Sequence, residues 1–431
     1  MNLNASTFST AVEVNHQPFR PVQYLGSKLR VLEDIRLAVA SLAPARTRVA
    51  DLFTGTTVVA QALAADGYQV TAVDTQKYAE VFGCALLGVG RASREGALAK
   101  TITDGLSEKV SAAAKGLWAT ALKREDEALA TKNHLALRTI YDEIPLTWRN
   151  PSVTSWAPPV TSVYAGTYFG IRQALTLDTI LSLIEAGFQQ SSISPWQYTA
   201  FKTSLMHAAS LAVHSAGKHF AQPLTRSTSE GAFLAGRLIS DRQVNIEQRF
   251  SDSCASISLL PHDNSNGHSV KLGAAEDILD QTAPHQLYYL DPPYTAQQYS
   301  RFYHILETLA DDGIPKLPLN TPATAGLYPE NRYKSAFSAR SKAPAAFSRL
   351  IKGIAKQGAS AVISYSASSA ESNGNARMIT FEEIIEICNN GFGKKNIECA
   401  TMTHRYRQFN SFGKSNERRD DRELLILCKS V

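Results

Sequence analysis

Leu287-Tyr288-Tyr289-Leu290-Asp291-Pro292-Pro293-Tyr294 is the stretch from which the fold can be read. Four apolar residues followed by an acid, two prolines and a ring describe a buried strand that stops abruptly. Proline fixes φ and removes a backbone donor, so the chain leaves the sheet as a rigid, flat-faced, polar loop at the strand's carboxyl end. An ordinary strand exit stopped by Pro-Pro is the plainer alternative. The residue types favour something more specific. The Asp291 carboxylate and a backbone carbonyl directed by proline geometry both accept hydrogen bonds, and Tyr294 offers a face for a heterocycle. A loop of acceptors beside a ring suits a planar amine. Two acceptors would also draw an amine nitrogen toward a tetrahedral, attacking geometry.

A second unit lies near the amino terminus. Val49-Ala50-Asp51-Leu52-Phe53 predicts a short buried strand that runs into Thr54-Gly55-Thr56-Thr57 and a helix over 58–65 closed by Gly67. Residues 68–73 predict a further strand ending on Asp74. An acid about 20 residues beyond the turn glycine is the spacing at which a carboxylate meets ribose hydroxyls in nucleotide-binding α/β folds. The chain lacks a full G-x-G-x-x-G here, which disfavours a dinucleotide.

Together these pieces resemble the Dam-like (alpha-group) site-specific DNA adenine methyltransferases, which use S-adenosylmethionine. Tyr24-Leu25-Gly26-Ser27-Lys28 is similar to that family's amino-terminal cofactor motif, and Asp51-Leu52-Phe53-Thr54-Gly55-Thr56 to its methionine-binding turn. Asp74 falls at the ribose position, Asp277-Ile278 at the pair that reads the cofactor's adenine, and Asp291-Pro292-Pro293-Tyr294 at the catalytic motif. Ala361-Val362-Ile363-Ser364-Tyr365-Ser366 and Glu423-Leu424-Leu425-Ile426-Leu427 resemble later family strands. The resemblance covers roughly residues 20–90 and 268–431. It implies a doubly wound, mostly parallel α/β sheet of Rossmann-like methyltransferase type with an inserted, mainly helical target-recognition lobe. It also implies methyl transfer from S-adenosylmethionine to the exocyclic amine of adenine in DNA, without a metal. Double-stranded DNA with a flipped adenine is the implied partner, joined by a cognate restriction nuclease or other defence component. Two other functions stand beside it. One is methylation of the cytosine exocyclic amine, for which relatives favour Ser at the position of Asp291. The other is a non-catalytic DNA-binding protein on a methyltransferase fold. One residue departs from the pattern: Thr57 stands where the family carries a second glycine, and it reads as a cap of the following helix.

Composition is consistent with this reading. A chain of 431 residues with 44 basic and 39 acidic side chains carries a formal charge of +5, mildly suited to a polyanion. It has no long apolar stretch and no charged-then-apolar leader, so a cytoplasmic address without membrane contact is expected. Five scattered cysteines form no C-x-x-C pair, which predicts reduced thiols rather than disulfides or zinc. His304 and Glu307, three apart, could share a helical face as metal ligands, but two ligands do not make a site, so they read as orienting the helix after the catalytic loop.

The expected organisation is a cofactor-binding half over 1–90, a helical target-recognition lobe over 91–266 and a catalytic half over 267–431. Within the lobe, residues 91–134 predict exposed amphipathic helices and 141–168 an aromatic, proline-rich loop. Further helices follow over 171–186 and from Ser194-Pro195 to Gly217. Lys218, His219, Gln222 and Arg226 then offer donors that suit phosphates and base edges, although any single cation is as well explained by a solvated surface. Arg332 and Lys334, in a loop-like segment over 311–346, are candidates to grip phosphates beside an extruded nucleotide. A third basic patch begins at Arg405-Tyr406-Arg407 and continues through Lys414, Arg418 and Arg419.

Overall fold

Seven strands make one sheet in the order β3-β2-β1-β4-β5-β7-β6. They are β1 (Arg48–Asp51), β2 (Gln69–Asp74), β3 (Ser269–Leu272), β4 (Leu287–Leu290), β5 (Ser360–Ser366), β6 (Ile397–Arg405) and β7 (Arg422–Cys428). The structure is a computed structural model that describes residues 17–24, 26–92, 100–114, 117–144, 158–224, 232–261, 267–279, 281, 283–311, 315, 317, 326–366, 376–405 and 422–430. The strands from β3 to β5 are parallel neighbours, while β7 lies between β5 and β6 and is antiparallel to both. This is the mixed, mostly parallel Rossmann-like methyltransferase sheet expected from the sequence.

The order fixes where a ligand site belongs. From β1 the chain winds outward through β2 to β3, then returns to the other side of β1 as β4, with Asp51 opposite both Ala72 and Tyr289. At such a reversal the loops after neighbouring strands part and leave a crevice beyond their carboxyl ends. The β1 turn and the Asp291 loop are the two loops that part here.

Side-chain alternation sorts the strands between two cores. Ala50, Leu52, Tyr288 and Leu290 pack with Leu350 and Ile354 on one face, whereas Val49, Leu287 and Tyr289 pack with Ile35, Val39 and Leu63 on the other. All four residues of β4 and all seven of β5 are buried, as strands covered on both faces require. Helix α1 (Leu32–Leu42) and helix α2 (Val58–Ala65) cover the second face; α2 spans the predicted 58–65, and Gly67 ends it at φ 86°.

The insertion packs differently from a separate lobe. Helix α3 (Lys77–Leu86), which follows β2, shares one continuous core with the inserted helices and with the segment after the catalytic loop. Helix Pro195–Ala212 lies against α3, and Trp196 Nε1 donates to the Ala85 carbonyl at 3.0 Å. Its residues 200–206 are buried consecutively, so every face of that helix is covered. Ser194, Pro195 and Gln197 start it with a reciprocal cap, as read from the sequence. It ends at Ala212, five residues before Gly217, because Val213 turns to extended backbone; Gly217, at φ 67°, belongs to a separate short turn. Residues 171–186 form the predicted helix, extended to Gln189, and residues 100–130 contain three helices. Among the described residues no helix is long and apolar enough to cross a membrane.

Candidate active site

A cleft of about 710 Å³, including its open mouth, lies at the carboxyl ends of β1, β2 and β4, bordered by Tyr24, Phe53, Asp74, Glu276, Asp291 and Tyr333. Its floor is the turn after β1. The Gly55 amide donates to Asp74 Oδ2 at 2.9 Å and the Gln76 amide to Oδ1 at 3.0 Å, so the β2 carboxylate is held by backbone on both oxygens. Burial raises the Asp74 pKa, and these amides oppose that rise. Gly55 has φ 49°, and a Cβ there would stand 2.9 Å from the Tyr24 hydroxyl oxygen, so the turn requires glycine at this position. Tyr24 itself is fixed by stacking on Tyr299 and Tyr303, with ring centroids 5.4 and 4.6 Å away.

Thr57 corrects the sequence reading. Its side chain makes no cap hydrogen bond to α2, and its backbone takes the left-handed conformation, φ 61° and ψ 13°. The turn keeps the geometry a glycine would supply, with a buried β-branched residue held in it. Thr57 Oγ1 donates instead to the Thr56 carbonyl at 2.6 Å and accepts from Gln61 Nε2 at 3.2 Å.

At the Asp291 loop, Asp291 and Pro293 border the cleft, while Pro292 is buried and Tyr294 is turned inward. The Tyr294 hydroxyl donates to Asp291 Oδ1, and its ring meets Tyr365 edge-on at 5.0 Å. Lys28, expected at the cofactor, lies instead beneath this loop. Its Nζ is 3.1 Å from Asp291 Oδ1, 3.1 Å from Glu423 Oε1 and donates to the Tyr294 hydroxyl at 2.8 Å. Burial alone would lower the Lys28 pKa, but the two carboxylates override it and raise it. Burial raises the Asp291 pKa, with Lys28 and the Tyr294 hydroxyl opposing and the Glu423 charge adding.

Asp51, at the end of β1, is almost fully buried, and its Oδ1 has no hydrogen-bond partner among the described residues. Burial, reinforced by the Asp291 and Asp74 charges, pushes its pKa up to about 7. Gly26 borders the cleft, and Thr56 is buried beneath the turn. Of the pair Asp277-Ile278, Asp277 is exposed and Ile278 packs into the core, whereas the neighbouring Glu276 borders the cleft with a buried, unpartnered Oε2. Glu276, Tyr299, Tyr303 and Glu423 were not among the expected residues. Glu423 had a usable signal: an acid opening the apolar run Leu424-Leu425-Ile426-Leu427.

The expected DNA contacts divide by environment. Lys218 is committed to Asp241 Oδ1 at 2.6 Å and the Val213 carbonyl at 3.1 Å, and half-buried His219 packs edge-on against Phe302. Gln222 and Lys334 are exposed, Arg332 lies 5.6 Å from the Tyr328 ring, and Arg226 falls outside the described residues. The third patch also falls outside them, apart from the backbone of Arg405. Residues 343–346 of the expected loop are already helical, in Ala343–Lys356, and Phe337 is buried edge-on against Phe53. Glu307 accepts from the Lys77 and Tyr78 amides at 2.9 and 3.2 Å and so caps α3, while the His304 ring is buried among Tyr164, Tyr168 and Tyr328.

The model of one protein family, D12 class N6 adenine-specific DNA methyltransferase, matches residues 24–113 and 247–324. These segments include the β1 turn, Asp74 and the Asp291 loop. No curated protein matches the chain.

Proposed function

We propose, from the chain's membership of the Dam-like family of N6 adenine-specific DNA methyltransferases, that S-adenosylmethionine is its methyl donor and that adenine enters the cleft flipped out of double-stranded DNA. The observation that carries this is the meeting of two acids in one cleft: Asp74, anchored by the β1 turn, and Asp291, at the end of β4. The cleft also suits a cationic donor. Glu276, which borders it, has a buried carboxylate oxygen, Oε2, without a hydrogen-bond partner among the described residues, and a buried acid favours a positive neighbour.

In this reading Asp74 holds the ribose, and Phe53, Gly55, Gly26 and Tyr24 shape the walls around the methionine and purine. When bound, the donor supplies a methyl group on a sulfonium centre, which leaves as a neutral thioether. Asp291 and the Pro292 carbonyl accept from the adenine amino group, drawing its lone pair out of the ring and aiming it at the methyl, and the methylated nitrogen then sheds its surplus proton to solvent. Lys28 and the Tyr294 hydroxyl both engage Asp291 Oδ1. Oδ2 is therefore the oxygen left for the amine. A short recognition sequence would be read by the region 91–266, with exposed Gln222 and Lys334 among its contacts, in a restriction-modification or related DNA-marking setting with a nuclease partner.

Single-turnover methylation of DNA with labelled S-adenosylmethionine tests the reading. Asp291→Ala should slow the chemical step by about 100-fold or more, the scale of a lost transition-state hydrogen bond, while donor affinity changes far less. Full methylation by that variant would overturn it.

A further inference from the structure

Glu423 has no place in the chemistry above, yet it is an acid buried in a strand between two others. Its β7 neighbours are Leu424, Leu425 and Ile426, it pairs with Ser366 of β5, and its side chain is 6 % exposed. A carboxylate in that setting is strongly unfavourable unless it is paired. Its partner is Lys28, 395 residues away in sequence, which also reaches Asp291 and Tyr294. We infer that Glu423 is a positioning residue for methyl transfer: by sharing Lys28 it fixes Asp291 Oδ1 while leaving the catalytic carboxylate its negative charge.

The argument is one of charge. Lys28 with Asp291 alone would be a closed ion pair, and a neutralised carboxylate is a weak acceptor for an amine. The titratable groups facing Asp291 are Lys28, Glu423, the Tyr289 and Tyr294 hydroxyls and the Asp51 carboxyl; with Glu423 the Lys28 cluster carries two negative charges and one positive, so Asp291 keeps acceptor strength toward the cleft. Lys28 is still needed, because two bare carboxylates in one buried pocket would repel and one would protonate. Asp291 Oδ1 is saturated by Lys28 and the Tyr294 hydroxyl, and among the described residues no hydrogen bond falls on Oδ2.

This rests on the reading of Asp291 as the acceptor of the target amine. The test is therefore run on the full chain, with wild type first required to methylate adenine and Asp291→Ala to slow that step about 100-fold or more; failure there refutes that reading and not this one. Glu423→Gln keeps an oxygen for Lys28 but removes the charge. Its single-turnover rate should fall roughly tenfold at unchanged DNA and S-adenosylmethionine affinity. The acidic limb of its pH profile should move to lower pH, because Asp291 loses a neighbouring negative charge and becomes less basic. A folded variant with the wild-type rate and pH profile overturns the proposal, as does a slower one whose acidic limb stays in place. If Glu423→Gln does not fold, the same comparison is made by adding it to Lys28→Met, which removes the buried ammonium. The limb should again move down relative to Lys28→Met alone, and loss of folding there as well would make Glu423 purely structural and overturn the assignment.

Discussion

Replacing Thr57 by glycine and by alanine measures whether the first turn holds a strained residue. At φ 61° and ψ 13° an L-residue costs about 1–2 kcal/mol relative to its preferred conformations, a cost glycine does not carry. Thr57 offsets this with a fully buried methyl group, worth about 0.8 kcal/mol, and with two hydrogen bonds, the 2.6 Å bond to the Thr56 carbonyl and the 3.2 Å bond from Gln61, worth about 1 kcal/mol each. Thr57→Ala loses all three and keeps most of the conformational cost, so it should destabilise by about 2–3 kcal/mol. At an ordinary buried position glycine would be less stable than alanine by a further ~1.5 kcal/mol, from unfolded-state entropy and one missing carbon. Relief of the positive φ returns about 1–2 kcal/mol of that. The two variants should therefore denature within about 0.5 kcal/mol of each other in urea at equal m-value. A glycine variant less stable than the alanine one by the full ~1.5 kcal/mol would refute the strained conformation. Affinity for S-adenosylmethionine should be nearly unchanged in Thr57→Gly, since the backbone path is the same.

Asp74→Ala should raise the dissociation constant for S-adenosylmethionine about 10- to 100-fold by calorimetry without DNA, through loss of charge-assisted hydrogen bonds and release of the Gly55 amide; unchanged affinity would move the ribose site elsewhere. Asp51 titrates near 7 in the folded protein against a usual value of 3.8, so its protonation stabilises the fold fully below about pH 4 and that contribution is lost as pH rises through 7. Asp51→Asn should flatten this loss, on the order of 4 kcal/mol at most, in denaturation series across that window; an identical slope in both proteins would rule Asp51 out as its source. Tyr294→Phe removes the hydroxyl between Lys28 and Asp291 and should slow single-turnover methylation about tenfold with little change in folding, whereas the ring's stacking role predicts full activity. Gln222→Ala should relax preference at one position of the recognition sequence, while Lys334→Ala should weaken binding to all DNA and flatten its salt dependence; methylome mapping showing the reverse would reassign the reading surface.

What was legible in the chain was local. The strand before Asp291, the helix over 58–65 and the acid ending β2 are each specified by neighbours a few residues apart, and all stand where expected. Contacts between distant segments were not legible. Lys28 stands close in sequence to Gly26 at the cleft, yet its charge is claimed by partners 263 and 395 residues away, because burial leaves an ammonium no choice but the nearest carboxylates. Lys218 looked like a phosphate contact, and Asp241 takes it. Asp277 and Glu276 differ by one step on a single helical turn, and only the fold decides which of them faces the cleft. Thr57 gave no sign of its backbone, since positive φ in threonine is imposed by surroundings rather than preferred.

On the proposed reading of the insertion as the recognition region, the core shared by α3, the inserted helices and residues 303–310 bears on how a new sequence preference could be acquired. A reading module joined by a linker could be exchanged between relatives like a cartridge, leaving the chemistry intact. Here the exchange would strip Trp196 from Ala85 and uncover Tyr78 and Phe82, on the helix that begins three residues after Asp74. Chimaeras cut at the ends of the insertion would lose donor binding along with the old preference. Retargeting would have to proceed through surface positions such as Gln222, one side chain at a time.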